Sequence, residues 1–231
     1  MRIGRYIAFC VCLIATNVAA DTFTATYEDP TTRYAHGVLG DAVEWGTLTI
    51  RDNGKTRRVR LPDDRVFEDL TPRLWNVVGD ETPEIVVIET QRDLGAQLAI
   101  YDRSGRKLAA TPHIGRSNRW LAPIGAADLD GDGRTEIAYI DRPHLAKLLR
   151  IWHFEAGGLT LVAERRGFTN HRIGDDFITG GLRKCGARPE LIVVSADWAD
   201  VVSITFVGGI LSEEIIGRFE GQFSIDAALN C

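Results

Sequence analysis

Ala126 to Asp141 reads AADLDGDGRTEIAYID, a loop dense in carboxylates that runs directly into a β-branched, aromatic strand. Asp128, Asp130 and Asp132 occupy alternate positions, Gly131 and Gly133 free the backbone to turn tightly, and Glu136 arrives as the ninth residue of the loop. Four acids therefore converge on one point. At roughly 5 Å and an effective dielectric of about 20, each like-charged pair costs about 3 kcal/mol, so a compact loop of this composition needs a cation. Oxygen donors without His or Cys favour Ca²⁺ over zinc, and the main-chain carbonyl of Arg134 is the natural seventh-position ligand.

An EF-hand starts similarly but needs a bidentate Glu at position 12 and a helix on each side. Here position 12 is Tyr139, and Ile137 to Ile140 reads as a strand. The spacing D-x-D-G-D-G-x-x-E instead resembles the FG-GAP and VCBS repeats of β-propellers. That resemblance is strong at Asp128 to Glu136 and architectural elsewhere.

Two rulers in the sequence support an array of repeated units. Ile50, Ile100, Ile151 and Ile204 sit at the centres of similar segments at steps of 50, 51 and 53, and Glu84, Glu136 and Glu190 open the preceding strands at steps of 52 and 54. Turn pairs such as Asn53-Gly54 and Gly208-Gly209 separate short strands, as in hairpins. The expected fold is all-β, a small propeller of four blades with four antiparallel strands each. The spans are 21–62, 65–114, 116–167 and 173–219. Phe223 to Cys231 aligns with Phe177 to Cys185, so residues 221–231 are expected to add a closing strand that hides the sheet edges.

The other units show what the acidic loop has lost. Asn76, Asp80 and Glu84 survive in the second unit, but Val78 replaces an acid, and only Glu190 survives in the fourth. One intact loop and one degenerate copy near Asp80 are expected.

Residues 1–20 carry Arg2 and Arg5, an apolar run and a small-residue end at Val18-Ala19-Ala20, the pattern of a secretory signal peptide. Cleavage would shift the formal charge from −5 to −7. Such an acidic chain is not a general nucleic-acid binder, and no later run is long enough to span a bilayer. The expectation is a periplasmic or secreted monomer. Cys185 and Cys231 then remain in an oxidising compartment, where a disulfide closing about 46 residues would contribute about 4 kcal/mol.

An enzyme needs a cluster, and the five histidines lie in separate segments without metal-ligand spacing. His36 stands out because Arg33, Tyr34 and Asp41 surround it. Trp75 and Trp120 lie just before expected inner strands, so Arg73, Trp75, Arg119, Trp120 and His36 form the candidate recognition surface. The propeller resemblance implies a non-enzymatic module that binds a protein partner in the cell envelope. A glycan-binding lectin, or a polysaccharide lyase or hydrolase on the same scaffold, is the alternative.

Overall fold

Short runs rich in Val, Ile and aromatics, bounded by glycine turns, fold into antiparallel strands throughout this computed structural model, which describes residues 23–80, 82–155 and 157–231. The expected leader, residues 1–20, lies outside them.

The first unit is a meander of β1 (Phe23–Thr31), β2 (Glu44–Asp52) and β3 (Lys55–Arg60). Its hairpin turn places Asn53 at φ 48° and Gly54 at φ 76°, the left-handed pair that matches strand twist. After the short β4 (Arg65–Phe67), the second unit runs through β5 (Arg73–Trp75), β6 (Glu84–Gln91), β7 (Gly95–Tyr101) and β8 (Lys107–Ala110). The third is β9 (Leu121–Ala127), β10 (Glu136–Asp141), β11 (Leu148–Glu155) and β12 (Gly158–Arg166). The fourth follows the two-residue β13 (Phe168–Thr169) with β14 (Gly181–Arg183), β15 (Glu190–Ser195), β16 (Asp200–Val207) and β17 (Ile210–Arg218). Helix α1 (Gln222–Leu229) ends the fold.

The four isoleucines occupy matching places. Ile50, Ile100, Ile151 and Ile204 lie within β2, β7, β11 and β16, each paired on both sides and buried. Glu84, Glu136 and Glu190 each begin the preceding strand. Strands β7 and β10 are buried along their whole length because neighbouring units cover both faces, so they read as continuous apolar runs rather than as alternation.

The core forms layers between successive units. One cluster joins β2 to β6 and β7 through Leu48, Ile50, Ile85 and Val87. The next joins the second and third units through Ile88, Leu98, Ile137 and Tyr139. A third joins the third and fourth through Ile140, Ile151, Val193 and Ile204, and a fourth packs Ile192, Val194 and Val201 against Ile225 of α1.

Two expectations need correction. The strands do not divide into four blades of four, because the first unit has three strands and β4 joins it to the second in one eight-stranded sheet, beside sheets of four and five. The segment from Tyr34 to Asp41, inside the span 21–62 given to the first unit, is a loop. Gly37 and Gly40 take φ of 66° and 97°, and side chains rather than a ladder fix its path.

The C-terminal closing strand, residues 221–231, is likewise absent, since residues 222–229 are helical. Phe223, Ile225 and Leu229 fit strand alternation, but Ile225, Ala228 and Leu229 also share one helical face. The helix satisfies its backbone internally without a free sheet edge, and the Ser224 hydroxyl donates to the Gly221 carbonyl in its first turn. It caps the outer face of the last sheet. The Cys185–Cys231 disulfide is present and ties the end of the chain to the β14–β15 turn.

Candidate functional site

The acidic loop joins β9 to β10, and its own carboxylates hold it in a tight coil. Asp128 Oδ1 and Oδ2 accept from the amides of Gly131 and Gly133 at 2.7 and 3.0 Å. Asp130 accepts from Asp132 N, and Asp132 from Arg134 N. Strand β10 brings Glu136 into this coil, where Oε2 accepts the Leu129 amide at 2.8 Å. Side-chain donor atoms of Asp128, Asp130 and Glu136 all lie within 4.8 Å of one another. Oxygens bound to one Ca²⁺ at about 2.4 Å can be no more than about 5 Å apart, so this set has the right span.

The fit is tested by Glu136 Oε1. It is buried and makes no hydrogen bond; His153 Nδ1 lies 3.1 Å away, outside hydrogen-bond geometry. A buried carboxylate oxygen without a donor is costly, and a cation bound there would supply what it lacks. Burial, reinforced by Asp130, Asp132 and Asp128, pushes the Glu136 carboxyl up to about 7, against the lowering effect of the Leu129 amide.

His153 was missed in the sequence. It forms a second set with Asp132 and Glu136, again with donor atoms within 4.8 Å. Its signal was the strand register, since Glu136 and His153 are direct cross-strand partners. Arg188, from the β14–β15 turn, donates to the Asp130 carbonyl and packs over Gly131, so the next sheet covers the loop with a guanidinium.

The degenerate second loop keeps the same internal geometry. Asn76 Oδ1 accepts from Gly79 N and Asp80 Oδ1 from Thr82 N, while Glu84 Oε2 accepts from Val77 N and Val78 N. These bonds mirror those of Asp128, Asp132 and Glu136. Residues 76–139, from the first residue of this loop to Tyr139 in β10, match the family described as the FG-GAP-like repeat. The chain carries an FG-GAP-like repeat. The repeat thus spans both loops, one intact and one worn, together with the strands between them. No curated protein and no solved structure matches the chain.

The candidate recognition residues separate. His36, Arg119 and Trp120 line one cavity of about 280 Å³, whereas Arg73 pairs with buried Asp69 and lies over Trp75. Trp120 is 2 % exposed and donates to the Glu68 carbonyl, so it is a wall of the cavity and not an open platform. The β1–β2 loop reaches all three other units here. Arg33 donates to the Arg65 carbonyl, His36 Nδ1 meets Glu68 Oε1 at 2.5 Å, Tyr34 Oη accepts from Asn118 N, and Gly174 N donates to the Val38 carbonyl. His144 and His171 add a 2.9 Å imidazole pair beside Trp120. Burial, followed by His171 and His36, pushes His144 down to about 4. Three histidines from distant segments therefore meet, which no local spacing could reveal.

Proposed function

We propose that this chain is a secreted or periplasmic binding module of propeller type, in which one Ca²⁺ held by Asp128, Asp130, Asp132, Glu136 and the Arg134 carbonyl fixes the seam between the third and fourth units. The observation that carries the reading is the buried Glu136 Oε1, which makes no hydrogen bond, on a carboxylate grouped within 4.8 Å with Asp128 and Asp130 and, in a second set, with Asp132 and His153. The ion orders a loop and takes no part in chemistry. The FG-GAP-like repeat supports a role in protein recognition, and the disulfide suits an oxidising compartment. Among the described residues no helix is long and apolar enough to cross a membrane.

The test has two parts. Calorimetric titration of chelator-treated protein with Ca²⁺ should give one site with a dissociation constant of about 0.1–1 mM, the range of extracellular modules. Asp130→Asn should weaken it. A pull-down from envelope extract should then recover a partner with wild-type protein in Ca²⁺ and lose it in chelator. A protein that takes up no Ca²⁺, or a partner retained equally by Asp130→Asn in chelator, overturns the calcium-dependent reading.

A further inference from the structure

The cavity beneath the β1–β2 loop lies apart from the calcium loop and has a chemistry of its own. The chain carries a formal charge of −5, yet no Asp or Glu lines this cavity; its polar walls are Arg119, Arg142, His36, His144 and Asn118. Buried Asp141 is shared between Arg142, with bonds of 2.7 and 3.1 Å, and Arg150 at 3.4 Å. Arg150 also pairs with Glu164 at 3.4 Å, so the two guanidiniums are matched by two carboxylates. Arg119 has no carboxylate partner among the described residues, and its Nη1 donates to the neutral Asn118 carbonyl at 2.7 Å. Arg142 is matched by Asp141 and His36 by Glu68, so the spare positive charge of the site is that of Arg119, in a partly desolvated setting where a bound anion gains most.

The hydrogen-bonding pattern narrows the ligand. His171 Nε2 faces the Asp175 carbonyl, which can only accept, so that nitrogen carries the proton and His171 Nδ1 accepts from His144 Nε2–H. His144 Nδ1, the Asn118 amide oxygen and, in neutral His36, Nε2 can accept, whereas Arg119 and Arg142 only donate. A carboxylate, which only accepts, is the group that the two guanidiniums match. The remaining walls are apolar: Val38 and Trp120 inside, with Leu145 and Ile173 at the mouth, 64 % and 71 % exposed. Asn118 and Arg142 hold φ of 52° and 47°, conformations uncommon for non-glycine residues and enriched at binding sites.

We propose that the cavity binds a small organic monocarboxylate with an apolar body, its carboxylate meeting Arg119 and Arg142 and its body covering Trp120, Leu145 and Ile173. The volume, about 280 Å³, suits a ligand of one ring and not an oligomer. The site needs no calcium and stands or falls separately from the loop.

The test is protein-observed NMR titration with benzoate, with neutral benzamide, and with glucuronate. Benzoate should shift the amides of residues 117–120 and 142–145 and bind about tenfold or more tightly than benzamide, the expected worth of a charge-assisted contact. Arg119→Gln, which breaks no ion pair, should weaken benzoate by a similar factor while leaving the spectrum folded, and Leu145→Asn should weaken it further. Arg58→Gln, on β3, should change nothing. Equal binding of benzoate and benzamide, shifts located elsewhere, or an Arg119→Gln variant that binds as well as wild type overturns the proposal. Tighter binding of glucuronate than benzoate overturns the apolar-body assignment in favour of an acidic sugar.

Discussion

Glu136 carries two demands that a folded chain without an ion meets poorly: full burial and one carboxylate oxygen with no donor. On the calcium reading, Glu136→Gln should lower Ca²⁺ affinity by more than about tenfold by titration calorimetry, since outer partners of a site alone cost that much. His153→Gln should change it less than about threefold, because a hard cation takes oxygen in preference to imidazole. A larger His153 effect would move the ion to the Asp132–Glu136–His153 set. A separate carboxyl shows what burial does where no cation is proposed. Glu44 is 3 % exposed, and burial, with Glu68, Asp41 and Asp69 behind it, pushes its carboxyl up to about 9. Below its ordinary value of 4.5 it is protonated whether folded or not. Between 4.5 and about 9 only the folded state keeps the proton, so stability falls as pH rises through that window. Glu44→Gln removes the effect, and thermal melts should show the variant gaining on wild type by on the order of 5 kcal/mol from pH 5 to pH 9. A constant difference across that range would show that Glu44 ionises freely in the folded protein.

At the scale of elements, the sequence was legible where a segment carried its own periodicity. The strands around Ile50, Ile100, Ile151 and Ile204 could be read because each is flanked by turns and covered on both faces, and the acidic loop because its donors are contiguous. The C-terminal segment was ambiguous, since its apolar residues satisfy both periods and the choice depends on what surface awaits them. The histidine cluster was invisible for a different reason. Residues 36, 144 and 171 come from three connections that only the tertiary fold superimposes. Helix α1 now allows a quantitative check. Ile225 is fully buried against Ile192, Val194 and Val201, so Ile225→Ala should cost about 3 kcal/mol in denaturant unfolding. The paired substitution Cys185→Ser, Cys231→Ser frees a 46-residue separation and should cost about 2–4 kcal/mol. If both losses were near zero, the helix would be an ornament on the last sheet and not its cap.

For the molecule as a whole, the four core layers occur in chain order, first unit to second, second to third, third to fourth, and fourth to helix. Apart from the β1–β2 loop, which reaches the third and fourth units, each sheet in such a stack is stabilised mainly by its neighbours, as in repeat proteins, so a perturbation should weaken with distance along the series. The acidic loop sits at one seam, because Arg188 of the fourth unit reaches the Asp130 carbonyl of the third. The Cβ that Gly125 lacks would lie 2.9 Å from Leu182, marking a second close approach between these same sheets. Ion binding at Asp128 to Glu136 should therefore be felt on both sides of that seam and little beyond it. Hydrogen exchange with and without Ca²⁺ should show the largest added protection at residues 128–136 and 186–190, a smaller gain in β9 and β15, and none in β1 to β3. The interior strands β6, β7, β10 and β11 should exchange slowest in either condition, since covered faces on both sides make them the last to open, while the exposed β12 and β17 exchange fastest. Equal protection of β1 to β3 would mean that the units open together, and the layered core would then have to be treated as one cooperative body in which the ion stabilises the whole fold.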